Sequence, residues 1–466
     1  MSTEPATTET RRATRAGRGY RRAVAATVGI LAIATTALGI AGAFRGPHLD
    51  DAGVAAATAL ERPGQRLVLN ADQAIGPVDA ADVTITPDIP IDVDSDGRAV
   101  TIRFTGMLRA LTEYRVAVAV IGSATGVAST LDYAFTTPDL DVAVLLRDAD
   151  GPDEVRRRAV SGDGAETLFS ADRIQEFALT QVGVAAILLD EGGPEGRLVI
   201  SPTGTDEVLE VPLPEPGRLQ GLRASSTTGL LGVQFTASDP DGAVSRLLLV
   251  DPVSASGLPR VLIGLDGEPV SVLDWRFVPG TSSLVAQTFD ESLLLVDTAT
   301  PDAPPVPLGE HAELRGFVPG TLSLVVADPQ SGSTIDLATG ETTTLDLPDD
   351  ELDPDGYPGK ILLLGPDRYL EVVSHPGADF VLDYEVLLVG PDGVDVVYDP
   401  DAGIPIRDVC LSPNAQYLAV EVQDPQGEPD GYLNLPGRSG TTTYFVDLET
   451  GSANRGMVGF ASSWCD

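Results

Sequence analysis

Leu314-Arg315-Gly316-Phe317-Val318-Pro319-Gly320-Thr321-Leu322-Ser323-Leu324-Val325-Val326-Ala327-Asp328, followed by Ser333-Thr334-Ile335-Asp336-Leu337-Ala338-Thr339-Gly340-Glu341-Thr342-Thr343-Thr344-Leu345-Asp346-Leu347, decides how this chain folds. Four short runs rich in Val, Leu, Ile, Thr or Phe are separated by Pro-Gly, Gln-Ser-Gly and Thr-Gly-Glu turns. That is the pattern of antiparallel strands joined by tight reversals. So short a sheet has two faces to bury and cannot bury them alone, so it demands neighbours of its own kind. The stretch predicts one blade of a β-propeller.

The remainder of the chain from residue 139 supplies the neighbours. In several units the third strand ends on an aliphatic-Asp step, as in Leu249-Val250-Asp251, Leu295-Val296-Asp297, Ile335-Asp336 and Val446-Asp447. Weaker versions are Val160-Ser161-Gly162, Ile200-Ser201-Pro202 and Val389-Gly390-Pro391. A short Asp side chain bonds backbone two residues on and opens a turn, which explains its recurrence without chemistry. The markers recur every 39 to 57 residues, and the 328 residues from 139 to 466 divide by seven into about 47, the size of a blade. Seven blades are expected, with six as the alternative. First-strand signals agree: Trp275-Arg276-Phe277-Val278-Pro279-Gly280 matches Arg315-Gly316-Phe317-Val318-Pro319-Gly320. Val409-Cys410-Leu411-Ser412-Pro413-Asn414-Ala415-Gln416-Tyr417-Leu418-Ala419-Val420, with Tyr444-Phe445-Val446-Asp447-Leu448-Glu449-Thr450-Gly451 after it, resembles the repeats of TolB-like and WD40-like bacterial propellers. That is a likeness of fold and brings no catalytic residues with it.

The first propeller segment is incomplete. Val142-Ala143-Val144-Leu145-Leu146, residues 154–160 and residues 166–169 supply only three outer strands. The missing innermost strand is matched by residues 459–465, with Gly459-Phe460 in the register of Gly316-Phe317. The end of the chain is therefore expected to pair into the first blade and close the ring. Cys410 and Cys465 are the only cysteines. In an exported chain they are expected to form a disulfide, two buried free thiols being the alternative.

Ahead of the propeller, residues 61–138 show alternating strands: Gln65-Arg66-Leu67-Val68-Leu69, Asp82-Val83-Thr84-Ile85-Thr86, Ala99-Val100-Thr101-Ile102-Arg103-Phe104, Tyr114-Arg115-Val116-Ala117-Val118-Ala119-Val120 and Tyr133-Ala134-Phe135-Thr136-Thr137. They predict a small β-sandwich. Leu111-Thr112-Glu113-Tyr114 before a Val-rich strand has the form of a tyrosine corner. With the closing Tyr133-Ala134-Phe135-Thr136-Thr137-Pro138, the segment resembles the bacterial Ig-like domains of the S-layer (SbsA) type, which implies a spacer or adhesive module. Within it, Asp92-Val93-Asp94-Ser95-Asp96-Gly97 places three carboxylates at alternate positions before a glycine. Asp92, Asp94 and Asp96 are candidate Ca²⁺ ligands. Position twelve of that loop is Arg103 rather than the glutamate of an EF-hand, so a hairpin turn at Asp-Gly is the competing reading. A second acidic loop, Asp349-Asp350-Glu351-Leu352-Asp353-Pro354-Asp355-Gly356, is open to the same two readings.

The N-terminus carries Arg11, Arg12, Arg15, Arg18, Arg21 and Arg22, then residues 23–44 (AVAATVGILAIATTALGIAGAF) without a charge. A helix of that length spans a hydrocarbon core of ~30 Å. The arginines hold their end in the cytoplasm, so a tail at 1–22, a transmembrane helix at 23–44, a linker at 45–60 and extracytoplasmic domains beyond are expected. A cleaved signal peptide with its site at Ala41-Gly42-Ala43 is the alternative. The fold class is then all-β after a single membrane helix. A formal net charge of −39 leaves no basic surface to displace phosphate counterions and excludes nucleic acid as a partner.

Three histidines, His48, His311 and His375, no G-x-S-x-G elbow and no Cys/His metal spacing leave serine hydrolysis without a base. The innermost strands do carry charge: Glu176, Asp274, Arg276, Arg315, Arg407 and Asp408. These are the candidate ligand-binding residues of a central channel, or the carboxylates of a glycosidase. The competing reading is that a wet channel needs polar lining for its own sake. The expected function is a membrane-tethered extracytoplasmic binding or scaffold protein that presents a propeller to a protein, peptide or glycan. The alternative is a propeller glycosidase or calcium-dependent lactonase, with Ca²⁺ as the one candidate cofactor.

Overall fold

The computed structural model describes residues 10–43, 45–148, 151–190, 193–205, 207–254, 257–329, 331–345, 356–377 and 381–465. Helix α1, Thr10–Ala43, contains most of the charge-free run. Among the described residues no helix is long and apolar enough to cross a membrane. The acidic loop at 349–355 lies outside the described residues. Among the described residues after α1 the regular structure is β apart from short helical turns, of which α2, Thr58–Glu61, is the longest.

The chain packs as two units, and each is a fold of its own. The first holds seven strands: β1 Leu49–Val54, β2 Arg66–Ala71, β3 Val83–Thr86, β4 Ile91–Asp96, β5 Ala99–Phe104, β6 Glu113–Ile121 and β7 Ala128–Thr136. They form two antiparallel sheets, β1-β2-β5-β4 and β3-β6-β7. Alternate residues bury Leu67, Leu69, Val100, Ile102 and Phe104 from one sheet and Tyr114, Val116, Val118 and Val120 from the other. The sheets meet where Phe104 and Phe135 bring their ring centroids to 6.3 Å. Tyr114 of the expected corner stacks on Phe135 at 5.5 Å. The stretch at 45–60, expected to be linker, instead contributes β1 to a sheet edge and α2 to the second unit. Its small residues hid a strand whose apolar side chains are too few to show a period.

The second unit is a ring of seven consecutive antiparallel sheets. Blade one holds β8 Asp141–Leu146, β9 Asp153–Ala159 and β10 Glu166–Ala171. Blade two holds β11 Ile174–Leu179, β12 Gly183–Leu189, β13 Gly196–Pro202 and β14 Leu209–Glu210. Blade three runs through β15 Gly217–Ala224, β16 Leu231–Ala237, β17 Arg246–Val250 and β18 Arg260–Val261. In blade four the strands are β19 Val272–Phe277, β20 Ser283–Thr288, β21 Ser292–Asp297 and β22 Val306–Glu310. Blade five comprises β23 Glu313–Phe317, β24 Ser323–Asp328, β25 Ser331–Asp336 and β26 Thr342–Leu345. Blade six adds β27 Tyr357–Gly365, β28 Arg368–Pro376, β29 Leu382–Gly390 and β30 Gly393–Tyr398. Blade seven ends with β31 Ile406–Leu411, β32 Tyr417–Val422, β33 Thr442–Asp447 and β34 Met457–Val458.

What holds the blades together is apolar area buried at six successive seams. Phe169 and Phe177 pack across the first, Leu198 and Leu231 across the second, and Leu247 with Trp275 across the third. Leu324 with Leu293, Val325 with Leu363, and Leu370 with Leu418 fill the rest. At the seventh seam the C-terminus does the work. Leu145 donates its N–H to Phe460 O at 2.7 Å and accepts the N–H of Phe460 at 2.9 Å. Ser463 N–H reaches Ala143 O at 2.9 Å. Cys410 and Cys465 are joined in a disulfide. The third-strand aspartates open turns as their chemistry requires: Asp251, Asp297, Asp336 and Asp447 each accept a backbone N–H two residues on, at 2.8–3.0 Å.

Candidate functional site at the inner strands of the propeller

Almost every innermost strand carries a β-bulge, near its N-terminal end except in blade three, where it lies further along. Register shifts fall between Ile174 and Glu176, Gln220 and Arg223, Val272 and Asp274, Leu314 and Gly316, Pro358 and Ile361, and Ile406 and Asp408. A bulge leaves a backbone group out of the ladder and re-aims a side chain. At Gly316 the backbone sits at φ 118°, where a side chain would be strained. These bulges lie at the end of the ring that also carries the loops between second and third strands, here called the upper face.

The six charged residues singled out from sequence all lie on or just after these bulges. Three carboxylates satisfy backbone donors there. Glu176 accepts the N–H of Leu222 from the next blade at 2.8 Å, Asp274 that of Trp275 at 2.8 Å, and Asp408 that of Val409 at 2.8 Å. All of the six but Glu176 also sit in an ion pair. Arg223 lies 2.9 Å from Asp274, whose other oxygen is 3.6 Å from Arg276. Arg315 pairs with Glu313 at 2.9 Å, Lys360 with Asp408 at 2.7 Å, and Arg407 with Glu421 at 2.5 Å. Burial pushes the Glu176 carboxyl up, opposed by the Leu222 N–H and the charge of Arg223. Glu421, fully enclosed, is pushed up by burial too, and Arg407 opposes that.

Three of the six share a cleft. It has a volume of about 570 Å³ and is walled by Leu273, Asp274 and Arg276 of blade four, Glu313 and Arg315 of blade five, and Lys360 of blade six. Arg276 Nη1 is buried in this wall without a hydrogen-bond partner. Asp408 reaches the cleft only through Lys360, Glu176 lies at the seam of blades two and three, and Arg407 turns to the seventh seam over the Phe460 ring. The histidines lie elsewhere: His311 bonds Asp328 and His375 bonds Glu385, each at 3.0 Å, and His48 bonds Gly46 O.

A second cluster on the upper face escaped the sequence. The loop at 423–441 crosses from blade seven, where Arg147 pairs with Asp430 and stacks on Tyr432 with its guanidinium carbon 3.6 Å from the ring centre. Arg147 also donates to Leu435 O at 2.9 Å and to Gln175 O at 2.7 Å, and Tyr432 donates to Asp153 at 2.5 Å. Burial lowers the Arg147 pKa against the pull of Asp430, and raises that of Asp153 against the Tyr432 hydroxyl. Asp430 and Tyr432 sit in a loop without period, so nothing local marked them. Arg223 beside Gly221, and Lys360 as the only lysine, were the signals available for the cleft.

Asp92, Asp94 and Asp96 lie along the exposed face of β4, and Gly97-Arg98 turns the chain into β5. Among the described residues no group of three or more His, Cys, Asp or Glu side chains is arranged to hold a metal ion. The hairpin is what the acidic run builds.

No protein-family model and no curated protein matches the chain. Among solved structures it is similar to TolB from Acinetobacter baumannii, at 11% identity over 80% of this chain and 79% of that one, with a TM-score of 0.35. It is similar to an oligogalacturonate lyase in complex with manganese, at 14% identity over 73% and 98%, TM-score 0.41. A prolyl endopeptidase matches at 9% over 76% and 50%, TM-score 0.46. Values this low carry no argument about ligand or chemistry, and the propeller rests on its sheet order and seams.

Proposed function

We propose that this chain is a membrane-tethered extracytoplasmic binding protein, in which an Ig-like sandwich acts as spacer and the upper face of a propeller receives a partner. The observation that carries the binding role is the cleft of blades four to six, whose carboxylates are already paired while Arg276 Nη1 has no acceptor. Asp274 and Asp408, the acids that an enzyme reading needs, each hold a backbone N–H and a cation. A carboxylate engaged in this way has its oxygens occupied by protein donors rather than open to a substrate proton. Support for the tether is the uncharged run at 23–44 behind six arginines.

Crosslinking on intact cells, followed by identification of what co-purifies with the domains beyond residue 45, tests the reading. A partner lost when Arg315 and Lys360 are replaced by alanine is the expected result. Turnover of any glycoside or lactone by wild type, abolished by Asp274→Ala with Asp408→Ala, would overturn it. Full-length protein in the soluble fraction, unchanged by deletion of residues 1–44, would remove the tether.

A further inference from the structure

We infer that the partner segment docking in the cleft is an acidic peptide with an apolar side chain beside its carboxylates, an inference that rests on the binding role above. Three facts converge on this. First, the cleft is locally cationic in a chain of net charge −39: Arg276, Arg315 and Lys360 face Asp274 and Glu313. At physiological salt, charges more than about 8 Å away are screened, so the local balance governs what docks, not the total.

Second, the cleft offers donors that are not used up. Arg276 Nη1 is buried with no acceptor, and a buried donor left unmade costs free energy until a ligand supplies one. Among the described residues Lys360 and Arg315 each pair with a single carboxylate, and both keep part of their surface in solvent. A carboxylate entering here gains charge-assisted bonds, and a planar guanidinium donates to both of its oxygens at once.

Third, an apolar shelf adjoins the charges. Leu273, on the bulge itself, is exposed and lines the cleft. Ile361, partly buried, lines it from blade six. A carboxylate seated on Arg315 and Lys360 brings a neighbouring apolar side chain of the same segment into this cleft. A cleft of about 570 Å³ falls within the ~300–1,000 Å³ of ligand sites. A glycan would leave the shelf dry and unused, whereas a peptide with alternating Glu and Phe or Leu uses both parts.

The probe is fluorescein-labelled Gly-Glu-Phe-Asp-Leu-Glu-Gly amide, with the Gln/Asn version as control, read by fluorescence anisotropy on the protein from residue 45 onward and on the full chain. Expected are binding of the acidic probe, at least about tenfold weaker binding of the neutral one, a similar loss in Arg315→Ala with Lys360→Ala, and a smaller loss in Leu273→Ser. Thermal melts of the variants confirm that they fold. Equal binding of both probes, or undiminished binding by the double variant, would overturn the inference. A uronate oligosaccharide that binds where the peptide does not overturns the peptide and leaves the binding role standing. Cleavage of either probe, seen by mass spectrometry, overturns the binding role itself.

Discussion

Leu145 and Phe460 exchange both backbone hydrogen bonds, at 2.7 and 2.9 Å, although they come from opposite ends of the propeller sequence. Phe460 is buried among Ala143, Leu145 and Phe177, so the last residues fill a core that the first blade opens. Phe460→Ala is expected to cost about 3–5 kcal/mol, the usual range for emptying a core aromatic site. Deleting residues 459–466 is expected to abolish a single cooperative melt of the propeller. A deletion that melts as wild type does would show that the ring closes without its final strand.

The Cys410–Cys465 bridge fastens the same seam. Intact mass of the native protein should rise by two hydrogens on reduction, and Cys465→Ser should lose about 2–4 kcal/mol through the freed loop of the unfolded chain. Two alkylatable thiols in the native protein would refute it.

Arg147 is buried, and its pair Asp430 nearly so. R147A leaves Asp430 without its counter-ion, and about 3–5 kcal/mol of destabilisation is expected. R147K keeps the charge and loses the flat stack on Tyr432 and the fork to Ile174 and Gln175, so it should fall between. Adding D430N to R147A should cost far less than R147A alone. Full additivity in that double-mutant cycle would count against the pairing.

Burial raises the Glu176 carboxyl above its ordinary value. The folded state therefore holds that proton more tightly than the unfolded chain, and this contribution to stability is complete at low pH and lost as pH climbs through the raised pKa. E176Q is neutral throughout and can still accept the Leu222 N–H. Its melting temperature relative to wild type should be more favourable at about pH 8 than at about pH 4. The same difference at both values would show that Glu176 is not held in this way.

Much of the architecture was legible because it is local. The strands of blade five lie where Leu314 to Leu345 alternate and turn, and Asp297, Asp336 and Asp447 mark third-strand ends because an Asp turn closes within two residues. The missing inner strand of the first blade could be matched to Gly459-Phe460 for the same reason, and Gly459 at φ 131° takes the same left-handed backbone as Gly316 at 118°. Strand β1 was not legible, because Leu49, Ala52 and Val54 are too few and small to show a period.

The candidate site divides along the same line. From the sequence alone came the charges on the inner strands, Asp274, Arg276 and Arg315 among them, because each lies in a run whose neighbours already read as strand. Only the tertiary structure decided which of them share a space. The bulges turned Asp274, Arg315 and Lys360 of three blades into one cleft, sent Arg407 to the seventh seam, and left Glu176 holding a backbone N–H. Side chains that meet across blades are far apart in the chain, and no periodicity records a meeting that the closure of the ring creates.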